Sequence, residues 1–182
     1  MIIRPHSFQS STQEPEPFPH AGRVILNNMQ NTEANPATNP STKNVLPWSL
    51  GEKPLMLAPM QGLTNRALRE LFTTWVRPDV VWTEFMRVNS QSEKKLLMPG
   101  DVRECAAEEN GVPLVVQLIG HGRDALVAAA KTAQKAGAVH INLNMGCPYG
   151  RMTSGLTGGG MLKRPELLEE IILALREEIR GS

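Results

Sequence analysis

At 182 residues and 41% hydrophobic content, the sequence holds one domain's worth of chain, or part of a larger one. A formal net charge of +1 does not advertise nucleic-acid binding, although it leaves room for a local basic face. No apolar run approaches the roughly 18 residues a membrane span needs. Cys105 and Cys147 belong to no C-x-x-C or metal-ligand pattern, and no secretory segment opens the chain, so a reducing, cytoplasmic setting is expected.

Residues 1–50 are rich in Pro, Asn, Ser, Thr and Gln, and Arg4, Arg23 and Lys43 balance Glu14, Glu16 and Glu33; the boundary of this stretch falls at about residue 52. Only Val24–Leu26 is notably apolar, so this stretch is expected to be a disordered or weakly structured tail. From residue 53 the pattern changes. Pro54–Ala58 reads as a buried strand ending at Pro59-Met60-Gln61-Gly62. Thr64 is placed to N-cap a helix whose apolar positions Ala67, Leu68, Leu71, Phe72 and Trp75 follow helical spacing. Val80–Thr83 is a second strand, followed by Glu84–Arg87; residues 90–98 suggest a short helix and 100–111 a polar connection with room for a helical turn. Val112–Ile119, apolar except for Gln117, is the third strand, with the uniform character of one covered on both faces. A helix then runs to Ala136 and stops at Gly137. Val139–Leu143 is the fourth strand, with Val139, Ile141 and Leu143 alternating with polar partners. After a loop broken by Gly146 and Pro148, the last helix opens at Pro165.

The order β-α-β-α-β-α-β-α implies a parallel sheet. No G-x-G-x-x-G follows the first strand, which disfavours a dinucleotide-binding fold. A (β/α)₈ barrel fits better, but residues 53–182 supply only about half of the roughly 250 residues such a barrel needs. In a barrel, the groups just beyond the strand ends converge on one face: Pro59, Met60 and Gln61; Glu84 and Arg87; Gln117; Asn144 and Cys147. Amides, a thiol and free backbone groups suit a neutral polar heterocycle rather than a metal. Gly158–Gly160 reads as a close-packing loop in preference to a phosphate cradle, and Cys105 as structural.

Five segments in order make the sequence recognisable: L-A-P-M-Q-G-L-T-N at 57–65, T-E-F-M-R-V at 83–88, V-Q-L-I-G at 116–120, N-M-G-C-P at 144–148 and G-G-G-M-L-K-R-P-E-L at 158–167. Together they resemble the tRNA-dihydrouridine synthases, and T-E-F-M-R-V most resembles the branch acting on U16 of the D-loop. The resemblance implies a TIM barrel of the FMN-linked oxidoreductase type that reduces uridine in tRNA with NADPH as hydride source. It implies that Pro59, Met60, Gln61 and Gln117 line the flavin, that Arg87 and Asn144 hold tRNA and the target base, and that Cys147 is the general acid. The chemistry is coherent. Hydride addition at C6 of uracil leaves negative character at C5, and a thiol, ordinarily titrating near about 8.5, is a proton donor at neutral pH. A base inside folded tRNA must also be turned out to reach such a pocket.

The chain reads as about the first four β/α units of that barrel. The fifth strand's Lys, the phosphate-binding loops and the helical tRNA-binding domain of the family do not occur before Ser182. Three outcomes are open: the chain is a fragment of a longer enzyme, it pairs with a missing C-terminal half or with itself, or it has no activity. The alternatives are a catalytically inactive fragment or interaction module of the same fold, and another FMN-barrel oxidoreductase acting on a small molecule.

Overall fold

A computed structural model describes residues 46–48, 51–89, 96–148 and 156–181. The tail expected over residues 1–52 lies almost entirely outside the described residues, as does most of the helix expected at 90–98.

The sheet is built from β1 (Met56–Leu57), β2 (Val80–Trp82), β3 (Met86–Arg87), β4 (Glu108–Glu109), β5 (Val112–Ile119) and β6 (His140–Leu143). Four parallel strands stand in chain order: β1 pairs with β2, β2 with β5, and β5 with β6. A doubly wound sheet reverses its strand order at a switch point, whereas a barrel does not. This sequential order, in an open rather than closed sheet, is the α/β architecture of a partial (β/α)₈ barrel. The antiparallel β4 forms a tight hairpin with the start of β5, turning at Asn110-Gly111.

β3 continues β2 with an interruption. Trp82 is in register with Val115 and Met86 with Leu118, so four steps on one strand oppose three on β5. The extra residue is a β-bulge, and it reverses the alternation. Without it Arg87 would point outward; with it Met86 takes the outer position and Arg87 shares a face with Ile119.

Helices cover the outer face of the sheet. α1 (Arg66–Trp75) lies over Leu57, Val81 and Leu114, contributing Phe72. α2 (Pro99–Glu104) is a short helix with Pro at its first position. α3 (Arg123–Lys135) buries Leu126, Ala129, Ala130 and Ala133 against Val116, Leu118 and Ile171 of α4 (Pro165–Glu178). The small alanines allow close helix–sheet approach, and the Leu and Ile side chains fill what remains. α3 ends as its sequence requires. The Ala138 N–H donates to Ala133 O and the Gly137 N–H to Gln134 O, with Gly137 at φ 113°, a Schellman cap.

One expectation about α1 is corrected. Its N-cap is Asn65, whose Oδ1 accepts from the Leu68 N–H at 3.2 Å, while Thr64 is turned inward and buried. The inward helix face does not follow the apolar spacing, because Leu71 is 53% and Trp75 78% exposed while Arg69 and Thr73 are buried. An ion-pair network sets that rotation. Arg69 reaches Glu104 of α2 and Glu109 of β4 at 2.6 Å each, and donates to Thr64 O at 3.1 Å. Asn110 of the hairpin turn donates to the Thr73 hydroxyl at 2.8 Å. Polar residues thus occupy positions that a hydrophobic stripe would otherwise claim. The polar connection expected at 100–111 is resolved into α2 and β4.

Candidate active site

Alternation leaves Val115, Gln117 and Ile119 of β5 and His140 and Asn142 of β6 on the inner face, opposite the helices. Asn144 continues that row two residues beyond Asn142, its N–H donating to Leu118 O at 2.8 Å. At the C-terminal end of β5 and β6 the amides form one connected chain. Gln117 Nε2 donates to Asn142 Oδ1 at 2.9 Å, and Asn144 Nδ2 donates to Gln117 Oε1 at 3.0 Å. Asn144 Oδ1 then accepts the backbone N–H groups of Gly146 and Cys147, both at 3.1 Å. Gln117 itself is 6% exposed, and its backbone N–H donates to the Thr83 hydroxyl at 3.0 Å.

Cys147 sits at the end of this chain, half-buried and free. Its carbonyl accepts the Gly159 N–H at 3.0 Å. A Cβ on Gly158 would lie 3.1 Å from both Cβ and O of Cys147, and Gly158 adopts φ 57°. The glycine run therefore packs directly against the cysteine loop, where any side chain would intrude. Thr157 next to it is buried and shares a hydrogen bond of 3.0 Å with His121 Nδ1, tying this loop to the turn after β5. Cys105 is a different thiol: burial, with Asp101 and Glu104 nearby, pushes it up to about 11.

Pro59, Met60 and Gln61 follow β1 at the same end of the sheet. Thr64 shapes their loop, its hydroxyl accepting from the Met60 N–H at 2.9 Å and donating to Met60 O at 3.2 Å. Gln61 lines a cleft of about 330 Å³ with Arg66, Glu84, Phe85 and Arg103. Glu84 Oε1 there is buried with no hydrogen-bond partner among the described residues. Arg87 is exposed on the inner face, its guanidinium 5.9 Å from the Phe85 ring centroid.

The structure thus brings Gln117, Asn144 and Cys147 into one hydrogen-bonded unit, and places Pro59, Met60, Gln61 and Arg87 on the same rim without direct bonds to it. Sequence reading missed Asn142 and Thr64, although the alternation of β6 already put Asn142 on the face of Asn144. A larger apolar groove of about 400 Å³, lined by Leu46, Ile141, Leu143, Leu175 and Ile179, opens on the other face of β6 and is separate from the amide chain.

The free hydrogen-bonding capacity can be counted. Gln117 retains one N–H and one lone pair, and Asn144 retains a single N–H because both acceptor positions of its Oδ1 are taken. A neighbouring donor and acceptor suit the imide edge of a pyrimidinedione, the ring shared by flavin and uracil. Among the described residues no group of three or more His, Cys, Asp or Glu side chains is placed to hold a metal ion, and no helix is long and apolar enough to cross a membrane.

Comparison with known proteins follows the same line. The family model "Dihydrouridine synthase" matches residues 56–180. The chain is 35% identical over 128 residues to the tRNA-dihydrouridine(16) synthase of Neisseria meningitidis serogroup A, covering 69% of this chain and 38% of that protein. It is 36% identical over 132 residues to the enzyme of that name from Pseudomonas putida, covering 70% and 41%. The match to the Vibrio vulnificus protein is 33% over 129 residues, covering 69% and 40%. The chain therefore spans about two fifths of the length of these curated relatives.

Proposed function

Because the chain belongs to the dihydrouridine synthase family, we propose that it serves the flavin-dependent reduction of uridine to 5,6-dihydrouridine in the D-loop of cytoplasmic tRNA, at position 16. The single observation that carries this reading is the amide chain from Asn142 through Gln117 and Asn144 to the Cys147 backbone. It presents neutral donors and acceptors beside a thiol, which is what a planar cofactor and a uracil ring require.

In this reading Gln117 offers its spare donor and acceptor to the pyrimidine edge of FMN, and the Pro59-Met60-Gln61 loop lines the ring. FMN, reduced by NADPH, supplies hydride chemistry when bound. Asn144 donates its remaining N–H to a carbonyl of the flipped-out uracil, and Arg87 holds tRNA from the inner face. Cys147 donates the proton at C5, its loop held by the two N–H bonds to Asn144 and by the glycine run.

Visible absorbance of the purified chain mixed with FMN tests the first half of this proposal. Flavin bands near about 370 and 450 nm that persist through gel filtration are the expected result. Incubation with unmodified tRNA and NADPH, with NADH alongside, tests the second half. Dihydrouridine at position 16 that disappears in Cys147→Ala is expected; reduction of free small-molecule enones with tRNA untouched would overturn it.

A further inference from the structure

The direction of the amide chain is dictated from one end. Two backbone N–H groups, those of Gly146 and Cys147, face the same atom of Asn144, and backbone N–H groups can only donate. That atom is therefore the oxygen, so the atom Asn144 turns toward Gln117 is the nitrogen. Gln117 must meet it with its oxygen, which leaves its nitrogen facing Asn142. Asn142 must then present an acceptor. Amide orientation, normally a matter of choice among equivalent shapes, is here fixed by the peptide groups of the cysteine loop.

We infer that Asn142 is a positioning residue: its side-chain oxygen locks the Gln117 amide, and through Asn144 it holds the loop that carries Cys147. Asn142 bonds to neither terminus of the Cys147 loop directly, and nothing in the proposed reaction needs it to touch substrate. Its requirement is for an acceptor at that place rather than for an amide. A carboxylate of the same shape satisfies it, whereas an isosteric hydrocarbon leaves a 6% exposed glutamine with neither of its N–H groups paired. Gln117 regains a protein partner by rotating its amide, and that rotation withdraws the oxygen that holds Asn144. The geometry stands without the cofactor; its catalytic consequence rests on the function proposed above.

The test compares Asn142→Asp with Asn142→Leu in the full chain. Alkylation of Cys147 by iodoacetamide is followed by mass spectrometry of the peptide, at the alkaline plateau where all variants react as thiolate. Thermal unfolding of each variant is recorded alongside. The Leu variant is expected to alkylate at least about fivefold faster, the consequence of losing one buried hydrogen bond, and the Asp variant to remain within about twofold of the parent. Should the Leu variant not fold, Asn142→Ala takes its place with the same expectation. A Leu or Ala variant with the parent's rate overturns the inference, and so does an Asp variant that accelerates as much as they do. FMN affinity is measured on the same proteins. Weaker binding in the Leu variant alone supports the inference, and equal binding in all three denies that the lock reaches the flavin site. If the parent itself binds no FMN, the functional proposal fails while the thiol rates still decide the role of Asn142.

Discussion

Arg87 stands beside Ile119 on the inner face of the sheet while its neighbour Met86, paired with Leu118, is buried outside under the helices. The one-residue bulge between Trp82 and Met86 produces this exchange, and it predicts opposite outcomes for adjacent substitutions. Met86→Ala empties a core position and should cost about 2–5 kcal/mol. Arg87→Ala, exposed and in contact with the Phe85 ring at 5.9 Å, should change stability by less than about 0.5 kcal/mol. If Arg87 holds tRNA, its removal should weaken binding and lower the salt slope by about one unit. Denaturant midpoints and tRNA titrations at two salt concentrations check both. A destabilised Arg87→Ala with unaffected Met86→Ala would mean that the bulge is misplaced.

Arg69 is 2% exposed and spans three elements through Glu104, Glu109 and Thr64 O. Arg69→Met should cost about 3–5 kcal/mol, because Glu109, itself 8% exposed, keeps its charge with only the longer 4.0 Å pair to the exposed Arg66 to offset it. Adding Glu109→Gln and Glu104→Gln should recover part of that loss, since no unpaired charge then remains. The second half of this prediction is the stronger check: a triple variant less stable than Arg69→Met would show that the carboxylates stabilise the hairpin independently.

The order of the four parallel strands and the positions of α1, α3 and α4 could be read from the sequence because each rests on a local signal. The uniform apolar run of Val112–Ile119 is the third strand as expected, and Gly137 stops α3 where a left-handed residue was needed. What could not be read depends on partners distant in the chain. Arg69 looks like a surface charge until Glu104 and Glu109 are folded onto it, and its burial then rotates Leu71 and Trp75 outward. The bulge is similarly invisible, since it exists only as a mismatch of register between two strands. Gln117, Asn144 and Cys147 were identified one by one from motifs; their union through Asn142 is a property of adjacent strands in parallel register.

Two titratable groups, buried Cys105 and half-buried His140, bound the pH range of stability from opposite sides. Burial raises Cys105 from its ordinary value of 9.0 to about 11, so the unfolded chain loses that proton first as pH rises. The stability it contributes is complete below pH 9 and is lost on the way to about 11, on the order of 2 kcal/mol. Burial lowers His140, so below its ordinary value of 6.5 the unfolded chain takes up a proton that the folded one resists. That contribution is present above pH 6.5 and fades as pH falls. Urea midpoints from pH 5 to 11 should show both declines. Cys105→Ala should flatten the alkaline limb and leave the acid limb unchanged.

Gly158 offers the most direct test of how the cysteine loop is held. Its φ of 57° and the 3.1 Å approach to Cβ and O of Cys147 leave no room for a methyl group without a shift of one loop against the other. Gly158→Ala should therefore cost about 1–2 kcal/mol from the left-handed conformation alone. It should also displace the Cys147 carbonyl from the Gly159 N–H that holds it at 3.0 Å. Gly100→Ala is the control, because a Cβ there meets nothing within 4 Å and its backbone is not left-handed. Thermal unfolding separates the two variants, and amide exchange at Gly159 locates the damage: the Gly158 variant should exchange faster there, by about tenfold for a lost bond of this kind. Equal stability and equal exchange in both variants would mean that the glycine run tolerates a side chain, and that it does not clamp Cys147.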